Sequence, residues 1–230
     1  MMKINYKTVD LGLTSGTLWM DRNIGAKEII DNGLYFAWGE TQGYTAEDIG
    51  VNKQFDWAKY TGSDGLTTLE VIDDAVFQNT QKLYTPTLEQ CIELLMETDV
   101  YLIKADGTEI HGTWQSGQYY IKWDSTVSVY EKLSGIEFRK KNDNSIKLFI
   151  PAAGYGGKRS LGGVGFGGGF WLSYVYESNP SSAWDLDFYC DGAGCDYYDR
   201  CYGYPVRGVV AASTNVSNAV AEVVKTILAN

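Results

Sequence analysis

The chain has 230 residues, 44% hydrophobic and 14% aromatic, with 17 Tyr, 7 Trp, 26 Gly and a formal net charge of −10. That length makes one large domain or two small ones, and the Gly and Tyr content favours a loop-rich α+β or β protein over a helical bundle. The acidic balance argues against nucleic acid and anionic membrane surfaces as partners, no apolar run is long enough for membrane insertion, and the first residues contain no apolar core of a signal peptide.

Val9, Leu11 and Leu13 alternate with polar or small residues, as in a half-buried strand. Ser15-Gly16 signals a turn, and Leu18 to Met20 reads as the second strand of a hairpin. Ala26 to Ile30 fits one or two helical turns. Asn32-Gly33 then turns the chain into residues 34 to 40, apolar and aromatic enough for a buried strand. Residues 41 to 83 read as loops with short helices, with a weak helical run near Leu69 to Val76.

A clear helix follows Pro86. Thr87 and Gln90 fit a capping box, and Leu88, Cys91, Ile92, Leu94 and Leu95 make its buried face. Cys91 therefore reads as a small core residue. DVYLIK and GQYYIKW, between residues 99 and 123, read as a hairpin with a turn at Ala105-Asp106-Gly107-Thr108. His111 follows the first of these as a surface or strand residue. GIEFRKK and SIKLFIP form another hairpin through Asn142-Asp143-Asn144.

Gly163, Gly165 and Gly168 match G-x-G-x-x-G. A dinucleotide fingerprint must open a helix, whereas Phe170-Trp171-Leu172 reads as a strand, and the region of Lys158 and Ser160 lacks the Walker spacing. A tightly turning loop with positive φ explains these glycines better. After a last strand at Val206 to Val210, Val216, Ala219, Val220, Val223, Val224, Ile227 and Leu228 fall at helical spacing, with Asn215 or Ser217 as cap. This tail, residues 211–230, is an amphipathic helix. It either docks on the domain formed by residues 1–210 or makes a homo-oligomer seam.

The stretch from Phe170 to Arg207 has an unusual alphabet. Its apolar frame is regular: Phe170, Trp171 and Leu172, then Trp184, Leu186 and Phe188, then Val206. Between Tyr189 and Tyr204 only Tyr, Cys, Asp, Gly, Ala and Arg occur. Tyr supplies large contact area at low entropy cost, and Gly, Ser and Asp supply adaptable hydrogen bonds, as in antibody-like contact surfaces. Strand alternation puts Trp184, Leu186 and Phe188 on one face and Asp185, Asp187 and Tyr189 on the other. One histidine and no Cys-x-x-Cys pair make no metal site, and no cofactor is expected. Cys190, Cys195 and Cys201 crowd this one stretch, which argues against a disulfide framework.

VDLGLTSGTLWMDRNIGA, GLYFAWGE, YTPTLEQCIELL, GIEFRKKNDNSIKLFIPAAGY, FWLS, AWDLDF and YGYPVRGV, in that order, resemble the Fibrobacter major paralogous domain over residues 8 to 210. Residues 96 to 125 and the tail depart from it. That domain is similar to the C-type lectin branch near the formylglycine-generating enzymes. The resemblance implies an α+β, C-type lectin-like fold with short antiparallel sheets, few helices and much loop.

Residues 174 to 202 further resemble the variable region of proteins diversified by retroelements, in which template adenines are randomised during reverse transcription. An AAC codon so treated never yields Trp, Lys, Met, Gln or Glu. Tyr174, Tyr176, Asp185, Asp187, Tyr189, Cys190, Gly192, Gly194, Cys195, Asp196, Tyr197, Tyr198, Asp199, Cys201 and Tyr202 are all reachable from AAC. Trp171, Trp184 and Glu177 are not, and would be fixed frame positions. The resemblance implies a binding protein without catalysis, directed at a protein or glycan on a target surface. It implies a phage tail or virion component, with a bacterial cell surface as the alternative.

Three other functions suit the same fold. A calcium-dependent lectin would use Asp185, Asp187, Asp191, Asp196 and Asp199 as oxygen ligands, yet no Glu-Pro-Asn or Gln-Pro-Asp pairing occurs. A formylglycine-generating type of enzyme would need a reactive cysteine pair, and here the cysteines sit at positions that read as randomised, with no evident base. A structural virion subunit would share the fold and lack a ligand.

Overall fold

A computed structural model of the chain describes residues 6–48, 59–157, 160–210 and 218–229. Lys158, Val216 and the candidate caps Asn215 and Ser217 lie outside these residues. Three short strands come first, β1 (Thr8–Val9), β2 (Leu18–Met20) and β3 (Tyr35–Phe36), then helices α1 (Ala75–Thr80) and α2 (Leu88–Glu97). The next strands are β4 (Thr98–Lys104), β5 (Glu109–Gln115), β6 (Tyr120–Trp123), β7 (Leu133–Lys140) and β8 (Asp143–Pro151). After the short β9 (Tyr155–Gly156) and β10 (Leu161–Gly162) come β11 (Gly168–Val175), β12 (Ser182–Phe188) and β13 (Gly192–Asp199). The chain closes with β14 (Tyr204–Pro205), β15 (Val209–Val210) and α3 (Asn218–Leu228).

The fold is α+β, rich in sheet and poor in helix. One antiparallel sheet runs in the order β11-β12-β13-β6-β5-β4-β7-β8, curled so that its edge strands β11 and β8 approach each other. Helix α2 lies on one face, against β4, β7, β11 and β13. Its capping box forms as the residue pattern requires: the Thr87 hydroxyl accepts from the Gln90 amide, and the Gln90 side chain accepts from the Thr87 amide. Leu88, Cys91, Ile92, Leu94 and Leu95 are all buried. Glu93 is buried with them and accepts from the Ser15 amide (2.8 Å) and hydroxyl (2.5 Å), tying the β1–β2 loop to the helix. Desolvation holds the Glu93 carboxyl above the usual carboxylate range.

Helix α3 packs on α2, with Val220 and Val224 buried in the same core. The docking alternative for the tail is thus the arrangement seen within one chain. No helix among the described residues is long and apolar enough to cross a membrane.

A second core covers the other face at β11–β13. Met20, Phe36, Trp38, Trp171, Val175, Ala183 and Tyr204 are among its buried members. Two arginines pin the ends of the segment that follows β13. Arg200 is buried, donates to the carbonyls of Tyr60 (3.2 Å) and Pro180 (3.1 Å), and lies 4.8 Å from the Trp38 ring. Arg207 is buried and donates through Nε to the Asn23 side chain at 3.0 Å; desolvation lowers its pKa to about 9.

Several local expectations need correction. Ala26 to Ile30 forms turns, not helix. The Asp31 carboxylate takes the amides of Lys27 and Glu28, and Ile29 and Ile30 point to solvent, so no apolar face drives helix formation. The weak helical run shifts to Ala75–Thr80 because Asp74 caps it, accepting from Val76 and Phe77. Residues 34 to 40 are strand only at Tyr35–Phe36, although Ala37 and Trp38 are also buried. The turn at 105–108 leads to β5, which then pairs with β6. The last strand covers only Val209–Val210. The glycine loop turns as expected at Gly163 (φ +69°) and Gly165 (φ +74°), whereas Gly168 has no positive φ and opens strand β11.

Candidate functional site

Strands β12 and β13 form a ribbon that carries most of the unusual stretch. The register pairs Trp184 with Tyr197, Asp185 with Asp196, Leu186 with Cys195 and Asp187 with Gly194. Side chains alternate between the faces of the ribbon. Trp184, Leu186, Phe188, Ala193 and Cys195 face the α2 core, as the alternation of the frame predicts. Ala183, Asp185, Asp187, Asp196 and Tyr198 fall on the opposite face.

β13 pairs with β6 only at Gly192–Gly194. No other strand among the described residues pairs with Cys195–Asp199 on that side. The sheet therefore splits, and a cleft of about 690 Å³ opens between this free edge, the β5–β6 turn and α3. Its walls include Trp184, Asp187, Tyr189, Gly192, Gly194, Cys195, Asp196 and Tyr197 from the predicted stretch and its frame. Gln118, Tyr119, Tyr120, Asp191, Ala193 and Ile227 complete them.

The predicted residues divide into two aromatic groups. On the α2 side, Tyr176 stacks on Tyr197, with centroids 3.8 Å apart and planes 8° apart. Both rings stand edge-on to Trp184 at 5.5 and 5.9 Å. Tyr174 is half-buried nearby, against the α2 core. On the other side, Tyr198 and Tyr202 join Tyr155 and Tyr204 in a cluster with centroids 5.3 to 6.0 Å apart. Asp196, Tyr197 and Asp199 are exposed; Cys190 and Cys201 are half-buried. All four cysteines are thiols. Cys195 lies 2.9 Å, sulfur to sulfur, from Cys91 on α2, and desolvation holds the Cys195 thiol well above its ordinary range.

Asp185 departs from the expected open face. It is completely buried. Trp171 of β11 lies beside it in register, and the Tyr204 ring packs on Trp171 at 4.8 Å. Neither carboxylate oxygen of Asp185 has a hydrogen-bond partner. Desolvation, with Asp187 and Asp196 close by, raises its pKa well above the carboxylate range. Asp187 is half-buried and pushed up to about 7 by desolvation and by Asp196 and Asp191. Burial also raises Tyr189, whose phenol faces that of Tyr204.

Gly192 is a second departure. A Cβ there would lie 2.5 Å from the Ile121 carbonyl oxygen, so a side chain at this position requires the β6 backbone to move. At Gly194 the nearest atom would be Tyr120 Cβ at 3.1 Å, a tighter fit than usual. Two site elements escape the sequence reading: Tyr119 on the β5–β6 turn with Tyr120 at the start of β6, and Ile227 on α3. The paired tyrosines beside Gly117 are the available signal, since the Phe170 to Arg207 stretch is also rich in Tyr and Gly. Tyr119 is held in the left-handed region at φ 59°, a conformation rare for a bulky residue and found where a turn must aim a side chain.

His111 is exposed on β5 and bonds Asp124 at 2.7 Å, away from the cleft. Among the described residues no three His, Cys, Asp or Glu side chains gather as a metal-binding group. No protein family, curated protein or solved structure matches the chain.

Proposed function

We propose that this chain is a binding protein that displays a retroelement-diversified contact surface on a C-type lectin-like scaffold. The observation that carries the reading is the division of labour along the β12–β13 ribbon. Of the residues unreachable by adenine randomisation, Trp171 and Trp184 are buried frame, whereas Glu177 is exposed in the turn after β11 and is not frame. Residues reachable by it, Tyr176, Asp187, Tyr189, Asp196 and Tyr197, stand half-buried or exposed at or beside one concave surface. Change on that surface leaves the frame intact, which is the demand a diversified scaffold must meet. Tyrosines at a concave site supply anchors of the kind that dominate protein interfaces. The ligand is a macromolecule on a target surface, and no reaction is assigned.

The test is to sequence the gene and its neighbourhood. A near-copy of the segment encoding Phe170 to Arg207, beside a reverse transcriptase and differing from it only at adenines of the copy, is the expected result. A neighbourhood with no copy, or a copy with mismatches spread over all bases, overturns the diversification. Mismatches in the Gly192 codon would show how far β6 yields.

A further inference from the structure

The chemistry of the cleft is one-sided. Its walls carry three carboxylates, Asp187, Asp191 and Asp196, and no Lys, Arg or His. Tyr119, Tyr120 and Tyr189 stand among them. Behind this wall is Asp185, directly across the ribbon from Asp196 and two residues from Asp187 on the same face. It is fully buried, and both its oxygens lack a donor. A buried carboxylate in a folded protein is ordinarily paired or hydrogen-bonded. Here no ion pair forms to Asp185, Asp187 or Asp196 among the described residues.

We infer that this cleft takes a basic side chain of a protein partner, an ammonium or guanidinium group seated against Asp187 and Asp196 with Asp185 behind them. The inference rests on the contact-face reading and names its ligand chemistry. A cation supplies the missing counter-charge, and its flanks meet tyrosine faces, which attract cations when desolvated. A neutral glycan offers hydroxyl donors to these carboxylates but no counter-charge. With three carboxylates and no cation, the wall also repels acidic partners.

The titratable groups around Asp185 and Asp187 are Asp191, Asp196, Cys195, Tyr189, Tyr198 and Tyr204; none is a cation. With Asp187 raised to about 7 and Asp185 also raised, the empty site holds protons near neutral pH. Seating a cation releases them, so affinity rises as pH rises from 6 to 8.

The experiment is an NMR titration of the full chain at pH 7.5 with Nα-acetyl-lysine-N-methylamide. The controls are its neutral norleucine analogue and methyl α-mannoside. The expected result is saturable shifts at Tyr120, Tyr189 and Gly194 with the lysine compound, and at least about tenfold weaker binding of norleucine. Calorimetry in two buffers of different ionisation enthalpy then shows proton release. Asp187→Asn and Asp196→Asn, made separately so that one folding failure leaves the other, each weaken the lysine compound and leave norleucine unchanged. Norleucine or mannoside binding in the cleft as well as or better than lysine overturns the cation and leaves the contact face standing. No shift at cleft residues with any of the three overturns both.

Discussion

Two groups of buried charge share one sheet, and only one of them is neutralised. On the β4–β5–β7–β8 half, Arg139 and Glu137 are buried. Arg139 holds Glu109 through two bonds of 2.9 and 2.7 Å, and Glu137 through two more. Lys147 adds a contact to Glu137 at 2.7 Å, and the guanidinium lies 4.0 Å from the Tyr101 ring. On the β12–β13 ribbon, Asp185 and Asp187 have like-charged neighbours and no counter-ion. The first arrangement is finished within the chain. In the second, which lies beside the cleft, no cation among the described residues meets the carboxylates.

If the two halves differ only in how their charges are met, the inner face of the ribbon must still be ordinary core. Trp184→Ala should then cost about 3–5 kcal/mol in a urea titration, and a loss below about 1 kcal/mol would reverse the assignment of the two faces. Arg139→Ala tests the finished half. It leaves Glu137 with Lys147 alone, and the expected loss is about 1–3 kcal/mol.

Asp185→Asn should act in the opposite direction. In the unfolded chain these carboxyls titrate near about 4. In the folded chain Asp187 titrates at about 7 and Asp185 is raised as well. Between those values the folded protein keeps protons that the unfolded chain has released, so stability declines as pH rises from about 4 to about 7. Asp185→Asn should flatten that decline and raise stability at pH 8 by about 1 kcal/mol or more. Thermal melts of both proteins at pH 5 and pH 8 check it, and parallel pH slopes would break the contrast between the halves. The smallest effect belongs to Tyr197→Ala. Its ring is 42% exposed and its main contact is the stack on Tyr176, so the loss should stay below about 1 kcal/mol. An unfolded Tyr197→Ala variant would make this tyrosine scaffold.

Some of this is visible in the residue pattern and some is not. Thr87, Gln90 and the apolar spacing from Leu88 to Leu95 specify α2 locally, and caps act over one turn. The β7–β8 hairpin is likewise local, with Asn142 at φ 67° in its turn. Strand β5 is harder to read because Glu109-Ile110-His111-Gly112-Thr113-Trp114-Gln115 is mostly polar, and only Gly112 in it is buried. Strand β13 is hidden for a similar reason: Gly, Ala and Asp have low strand propensity, and its place is set by pairing with β12 and β6. Alternation correctly sorts Trp184 from Asp185 onto opposite faces. It says nothing about what covers the second face, because Trp171 and Tyr204 are brought there by strand pairing and by the turn after β13, which alternation along one strand does not encode.

The free half-edge of β13 sets a limit on which side chains this ribbon can carry. An unpaired strand edge is a template for another molecule's strand, and natural sheets deter such pairing with charge. Asp196 and Asp199 are the exposed charges along this edge. Their removal leaves the frame intact and takes away the deterrent. Asp196→Val with Asp199→Val should therefore melt near the parent temperature yet scatter light at concentrations where the parent stays clear. The boundary on tolerated sequences along this edge is then colloidal, drawn by which strands tempt copies to join edge to edge.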